Sequence, residues 1–200
     1  MRSAIVLFSS ILLFAVPGFA QTDIAVDDLA HHPIALDFPS GGQLEMHLRS
    51  GEIRIEGSDD GKFSVRASGK RGGDSTDIRA HFERSGDFGR LSVAGGPSND
   101  VTITVQVPKS SGLRVRILAG EVEVKDVIGN KDIELKAGDL NIDVGSAANY
   151  AHVEASVTSG SIEAGPFGES RGGLFRSFEK FGGGKYKLAA HVGAGQLTLK

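Results

Sequence analysis

Cysteine is absent from this 200-residue chain, and so is tryptophan. Without cysteine there is no disulfide staple, no thiolate metal site and no lipid anchor on a thiol. Aromatic residues make up only 6% of the chain, so its core has to be built from aliphatic side chains. No basic stripe stands out among 22 basic and 25 acidic residues, which excludes the electrostatic footprint of a nucleic-acid binder. Charge is scarce in one place above all. Arg2 is the only charged residue among the first twenty.

That charge-poor start has the layout of an export signal. A basic residue precedes the apolar run Ala4–Phe19, and Gly18 and Ala20 stand where signal peptidase reads small residues. The run is short for a membrane span, which needs about 20 apolar residues, and Pro17-Gly18 breaks it. Cleavage after Ala20 is expected, leaving Gln21 as the new terminus. Lys+Arg then falls from 22 to 21 while the 25 acids remain, a net charge of −4. No later apolar stretch reaches spanning length, so no transmembrane segment is expected after cleavage.

Glycine is abundant, at 28 residues, and it punctuates short alternating runs. Glu52-Ile53-Arg54-Ile55-Glu56, Thr102-Ile103-Thr104-Val105-Gln106 and Leu113-Arg114-Val115-Arg116-Ile117 swap polar and apolar residues strictly. Period-two alternation puts successive side chains on opposite faces of a strand, one wet and one buried. Such runs recur every 8–12 residues or so, as in a sandwich, barrel or solenoid. Asp59-Asp60-Gly61, between two of them, predicts a type I′ hairpin.

One unit repeats: small residue, Gly, usually a polar residue, then aliphatic-polar-aliphatic. Its glycines are Gly51, Gly120, Gly138, Gly160 and Gly195, spaced by 69, 18, 22 and 35 residues. A spacing near 20 suits one coil of a β-solenoid. Each glycine then makes a corner at positive φ, and the small residue before it lets corners stack. On torsion alone, Gly138→Val is expected to cost at least about 1 kcal/mol. The expected fold is all-β: a β-solenoid, with antiparallel hairpins toward the N-terminal end, and an antiparallel β-sandwich as the alternative. Residues 1–20 form the signal, 21–39 an extended leader and 40–200 a single β-repeat domain.

Residues 165–184 break the rhythm. Leu174, Phe175, Phe178 and Phe181 fall at helical spacing between glycines, which predicts a short helix or ordered loop near 173–181. Phe175, Phe178 and Phe181, with Arg171 and Arg176, form either an aromatic-basic binding patch or a cap on the end of the solenoid.

The repeated units, and the stretch from Tyr186-Lys187-Leu188 to Leu197-Thr198-Leu199, resemble a bacterial family of β-strand-repeat, adhesin-like proteins of unknown function. The resemblance covers roughly residues 40–200. It implies a β-helix-like envelope protein and carries no catalytic residues.

Two kinds of site remain to be weighed. Six histidines invite a metal, but His31-His32 point apart in an extended segment, and His47, His81, His152 and His191 fall on polar faces. No metal motif is present. Glu52, Glu121 and Asp139 share one repeat position, and Glu123 and Glu163 share another. Stacked, they would form acidic ladders of the kind some carbohydrate-active enzymes use. The leading expectation is a non-enzymatic envelope scaffold in the periplasm or at the cell surface, without cofactor or metal, binding an envelope protein or a glycan. A carbohydrate-active enzyme and a membrane-surface module acting through the Phe-rich segment are the alternatives.

Overall fold

The computed structural model describes residues 21–69, 77–95 and 101–200. The expected signal segment lies outside them. The described residues are almost entirely β, in one large mixed sheet. Its strands are β1 (Gln21–Val26), β2 (Ile34–Asp37), β3 (Gln43–Ser58), β4 (Lys62–Gly69), β5 (Ile78–Ser85), β6 (Phe88–Gly95), β7 (Val101–Pro108), β8 (Gly112–Lys125), β9 (Lys131–Ile142), β10 (Tyr150–Ala164), β11 (Glu169–Phe181) and β12 (Tyr186–Leu199).

Five long strands carry the repeat and lie parallel in the order β3-β8-β9-β12-β10. Their glycines are in register: Gly51 beside Gly120, Gly138, Gly195 and Gly160 in turn. All five have φ between +124° and +139°. The small residue ahead of each also falls in register, as Ser50, Ala119, Ala137, Ala194 and Ser159. A β-carbon added to Gly138 would overlap the carbonyl oxygen of Gly120, and one on Gly195 would overlap that of Gly138. Only glycine lets adjacent strands turn the same corner this closely.

The corner also resolves a conflict in the pattern. In β3, Leu44, Met46 and Leu48 are buried before the glycine, and Ile53 and Ile55 after it. The phase of alternation slips by one between Leu48 and Ile53. In a straight strand that slip would send the second set to the opposite face. The bend at Gly51 returns it to the core. β8 repeats the arrangement with Leu113, Val115 and Ile117, then Val122 and Val124.

Each long strand therefore has two arms, and the sheet has two wings. The first arm of β3 pairs with β6, followed by β5 and β1. The second arm pairs with β7, followed by β4 and β2. The wings close on one apolar cluster. Phe63 of β4 stacks on Phe82 of β5 across it, with ring centroids 4.4 Å apart.

Three expectations are corrected. Asp59-Asp60-Gly61 does not close a hairpin. β7 and β8 already occupy both edges of the second arm of β3, so β4 pairs with β2 and β7 instead. The Asp60 side chain shapes that turn by accepting the amide of Lys62 at 3.1 Å. Second, the repeats follow chain order only from Gly51 through Gly120 to Gly138. Gly195, the last repeat glycine in the sequence, sits between Gly138 and Gly160. Third, residues 173–181 form no helix. They belong to β11, antiparallel to β10 at the end of the sheet. No helix among the described residues is long and apolar enough to cross a membrane, which says nothing about crossing by strands.

Candidate functional site

The Phe-rich strand β11 divides its aromatic side chains. Phe178 turns inward at 5% exposure and packs 6.2 Å from Phe167, which meets Tyr150 edge-on. Phe175 and Phe181 stay 80% and 77% exposed. Phe181 lies flat on His152, with centroids 4.8 Å apart. Phe175 sits at the corner of β11 with φ +52°, a strained conformation for a bulky residue. The arginines do not join the phenylalanines. Arg171 donates to the Ser177 carbonyl at 2.9 Å and Arg176 to that of Gly172 at 3.0 Å, both within their own strand. Lys180 reaches back to the Phe167 carbonyl. Phe178 thus joins the core, while Phe175 and Phe181 stay on the surface. Phe178→Asp is expected to destabilise the protein by about 3 kcal/mol by burying a charge in place of a ring. Phe175→Asp should change stability by less than about 0.5 kcal/mol. Urea denaturation of the two variants checks both, and a tolerant Phe178→Asp would show that the ring is not part of the core.

Counting back from each corner glycine locates a second feature. Six residues upstream stand Glu45, Arg114, Asp132, Ala189 and Glu154, side by side across β3, β8, β9, β12 and β10. Eight upstream stand Gln43, Gly112, Asn130, Lys187 and His152. These two columns line a half-open groove of about 490 Å³, with Phe88 at one end and buried leucines as its floor. Strands lie about 4.8 Å apart, so the groove spans roughly 19 Å from β3 to β10. A β-carbon on Gly112 would collide with the Gln43 amide, so the bare backbone lets that amide lie across β8.

Most charges in and around the groove are paired. His47 Nε2 lies 2.8 Å from a carboxylate oxygen of Glu45, and Arg90 stands 3.7 Å from it. The His47 hydrogen bond holds the Glu45 carboxyl below the usual carboxylate range. Arg116 meets Asp132 at 2.9 Å and holds it low in the same way. Arg114 adds a contact to Asp132 at 3.4 Å. Glu179 of β11 meets His152 at 2.7 Å.

The expected acidic ladder exists in register but not as a catalytic pair. Glu52, Glu121 and Asp139 are neighbours on the outer face of the second arm. Glu52 is bonded by Arg54 at 2.5 Å, and Glu123 by Lys125 at 2.7 Å. In the groove, Asp132 and Glu154 are two strand steps apart, roughly 10 Å. The groove acids whose shifts are resolved, Glu45 and Asp132, move downward, whereas a general acid needs its pKa raised.

The histidines also stay apart. His31 bonds Asp28 at 2.8 Å, His81 bonds Asp23 at 2.7 Å, and His191 bonds Ser156 at 2.8 Å. No group of three or more His, Cys, Asp or Glu among the described residues is placed to hold a metal ion.

Sequence reasoning missed Lys131. It stands seven residues before Gly138, in a column otherwise filled by Leu44, Leu113, Leu188 and Val153, and it is 2% exposed. Its Nζ donates to the Tyr150 hydroxyl at 2.8 Å. Burial pushes its pKa from 10.5 down to about 8, against a smaller upward pull from Asp143. The Tyr150 phenol is pushed up to about 12, again mainly by burial. A lysine breaking an aliphatic column is visible once the glycines are aligned.

No family model matches the chain, and no curated protein matches it. Among solved structures, the chain resembles a "putative cell adhesion protein" from Clostridium sporogenes, with a TM-score of 0.53 at 11% identity, over 90% of this chain and 100% of that one. A "putative adhesin" from Bacteroides fragilis matches with a TM-score of 0.32 at 11% identity, over 84% of this chain and 96% of that one. The first likeness is one of fold alone, and the second carries no structural argument.

Proposed function

We propose that the chain is an exported, non-enzymatic envelope protein, an adhesin-like β scaffold, solenoid-like in its parallel half, that presents a surface to an envelope protein or a glycan. The observation that carries this is the outer face of the first arms. Five parallel strands, cross-bonded along their length, hold columns of polar side chains in fixed register. That arrangement fits a rigid display surface. The downward shifts at Glu45 and Asp132 disfavour acid catalysis there. The fold likeness to the Clostridium protein agrees with the adhesin-like part of the reading. The compartment rests on the first twenty residues alone. The test is co-sedimentation of the purified protein with envelope fragments. Saturable retention is expected, and protein that stays wholly in the supernatant overturns the reading.

Exposed Leu174, Phe175 and Phe181 on the last strand of the sheet favour one second reading, a membrane-surface module. Sedimentation with phosphatidylglycerol vesicles decides between them. Binding by the wild type that is lost in Phe175→Asp/Phe181→Asp would select the lipid surface over the scaffold.

A further inference from the structure

We propose that the groove across the starts of β3, β8, β9, β12 and β10 binds an uncharged oligosaccharide. This rests on the scaffold reading and gives that scaffold a site and a ligand class.

Charge comes first. The groove lining holds three carboxylates, Glu45, Asp132 and Glu154, and two cationic side chains that reach it, Arg114 and Lys187, since Lys131 is turned into the core. Arg90 and Arg116 beside it supply further positive charge to Glu45 and Asp132, so neither an anion nor a cation meets a strong field of opposite sign. Glu45 and Asp132 already have arginine partners, Arg90 and Arg116, so a charged ligand would have to compete with those pairs. Glu154 and Lys187 differ. Both are exposed, and neither charged end has an ion-pair partner among the described residues. They offer hydrogen bonds from opposite signs at one place, which a hydroxyl can both accept and donate.

Shape and chemistry then narrow the ligand. A volume of about 490 Å³ lies in the usual range for small-ligand sites, about 300–1,000 Å³. A peptide would need a free strand edge or apolar pockets. The groove floor supplies neither, because its strands are paired on both sides and its leucines are at most 3% exposed. What the walls do supply is planar polar groups: the Gln43 and Asn130 amides, the Arg114 guanidinium and the Glu154 carboxylate. Such groups bond vicinal hydroxyls in pairs. Phe88 adds an apolar ring at the rim, 38% exposed, with the Arg90 guanidinium 5.9 Å over it. A pyranose combines a polar rim with an apolar face and matches both features. Neighbouring strands repeat the columns at regular intervals, which suits a chain of sugars over a single one.

The experiment is titration of the purified ¹⁵N-labelled protein with chitotriose, cellotriose and maltotriose, and with tri-galacturonate as the charged comparator. Amide shifts report where each binds. We expect at least one neutral trisaccharide to bind saturably, with a Kd on the order of 1 mM or tighter, and with shifts centred on the groove. The double variant Glu154→Ala/Lys187→Ala should weaken that binding by about tenfold or more. Glu121→Ala, beyond the glycine corner, should leave it unchanged. No saturable shift from any neutral sugar at about 10 mM overturns the proposal. So does undiminished binding by the double variant, or a preference for tri-galacturonate. Envelope co-sedimentation separates the two failures. If it persists while the sugars fail, the ligand class falls and the scaffold reading stands.

Discussion

Gly138→Val lowers the stability of the protein by about 4 kcal/mol, a large share of the roughly 5–15 kcal/mol of a typical domain. The torsional penalty for a β-branched residue at φ +124° is about 1–3 kcal/mol. The clash adds to it, because the atom a side chain would strike is the Gly120 carbonyl oxygen. That oxygen is backbone and cannot swing away. Relief requires β8 and β9 to separate at the corner, which loosens the buried Val122 and Leu140 beside it. For a domain of this size each kcal/mol shifts the melting temperature by about 2–4 °C, so a drop of roughly 10 °C is expected by calorimetry. Gly165→Ala is the control, because no atom lies within 4 Å of the added β-carbon. A variant at position 138 melting within about 2 °C of wild type would mean that the corner does not need glycine.

The second large effect belongs to Lys131. Its pKa is about 8 when folded and near 10.4 when unfolded. Between those values the unfolded chain holds the proton that the folded chain has lost. Stability from this group therefore rises as pH increases from 8 to about 10, and below pH 8 the full burial penalty is present. The difference amounts to about 3 kcal/mol. Tyr150 acts the other way at higher pH. With a folded pKa near 12 and an unfolded value near 10, its contribution is lost as pH climbs from 10 toward 12. Lys131→Met fits the aliphatic column between Leu113 and Leu188. It removes the penalty but leaves the Tyr150 hydroxyl without its donor, which costs about 1 kcal/mol. We expect the variant to be about 2 kcal/mol more stable than wild type at pH 7, with the gap closing by pH 10. Urea denaturation across that pH range measures it. A gap that stays constant with pH would show that Lys131 does not titrate in the folded state.

The legible part of the fold was the part written in local pattern. Alternation marked the strands, and the five glycines marked the corners with the side-chain columns that follow them. The order of the columns was not legible. The spacing of 22 between Gly138 and Gly160 pointed to neighbours, yet β12 lies between their strands. Sequence spacing carries no information about an insertion made by a strand synthesised later. Strand β11 was misread because Leu174, Phe175, Phe178 and Phe181 satisfy a helical period by coincidence. The kink at Phe175, where φ is +52°, separates them. The groove could have been found. Aligning the corner glycines and reading six and eight residues upstream collects Glu45, Arg114, Asp132, Glu154, Lys187 and His152 into two columns. Reading only downstream of the glycines concealed it.

The place of β12 governs when the protein can fold. It follows β9, β10 and β11 in the chain, and it pairs with β9 on one side and β10 on the other. Until Tyr186–Leu199 exists, β9 and β10 are two long bare edges with nothing to join them. Leu188 of β12 pairs with Lys131, and Gln43 of β3 with Gly112; pairings this distant along the chain raise the contact order and slow folding. The sheet therefore cannot be completed piece by piece as the chain emerges. Until β12 pairs with both, those two edges stay open to pairing with another chain.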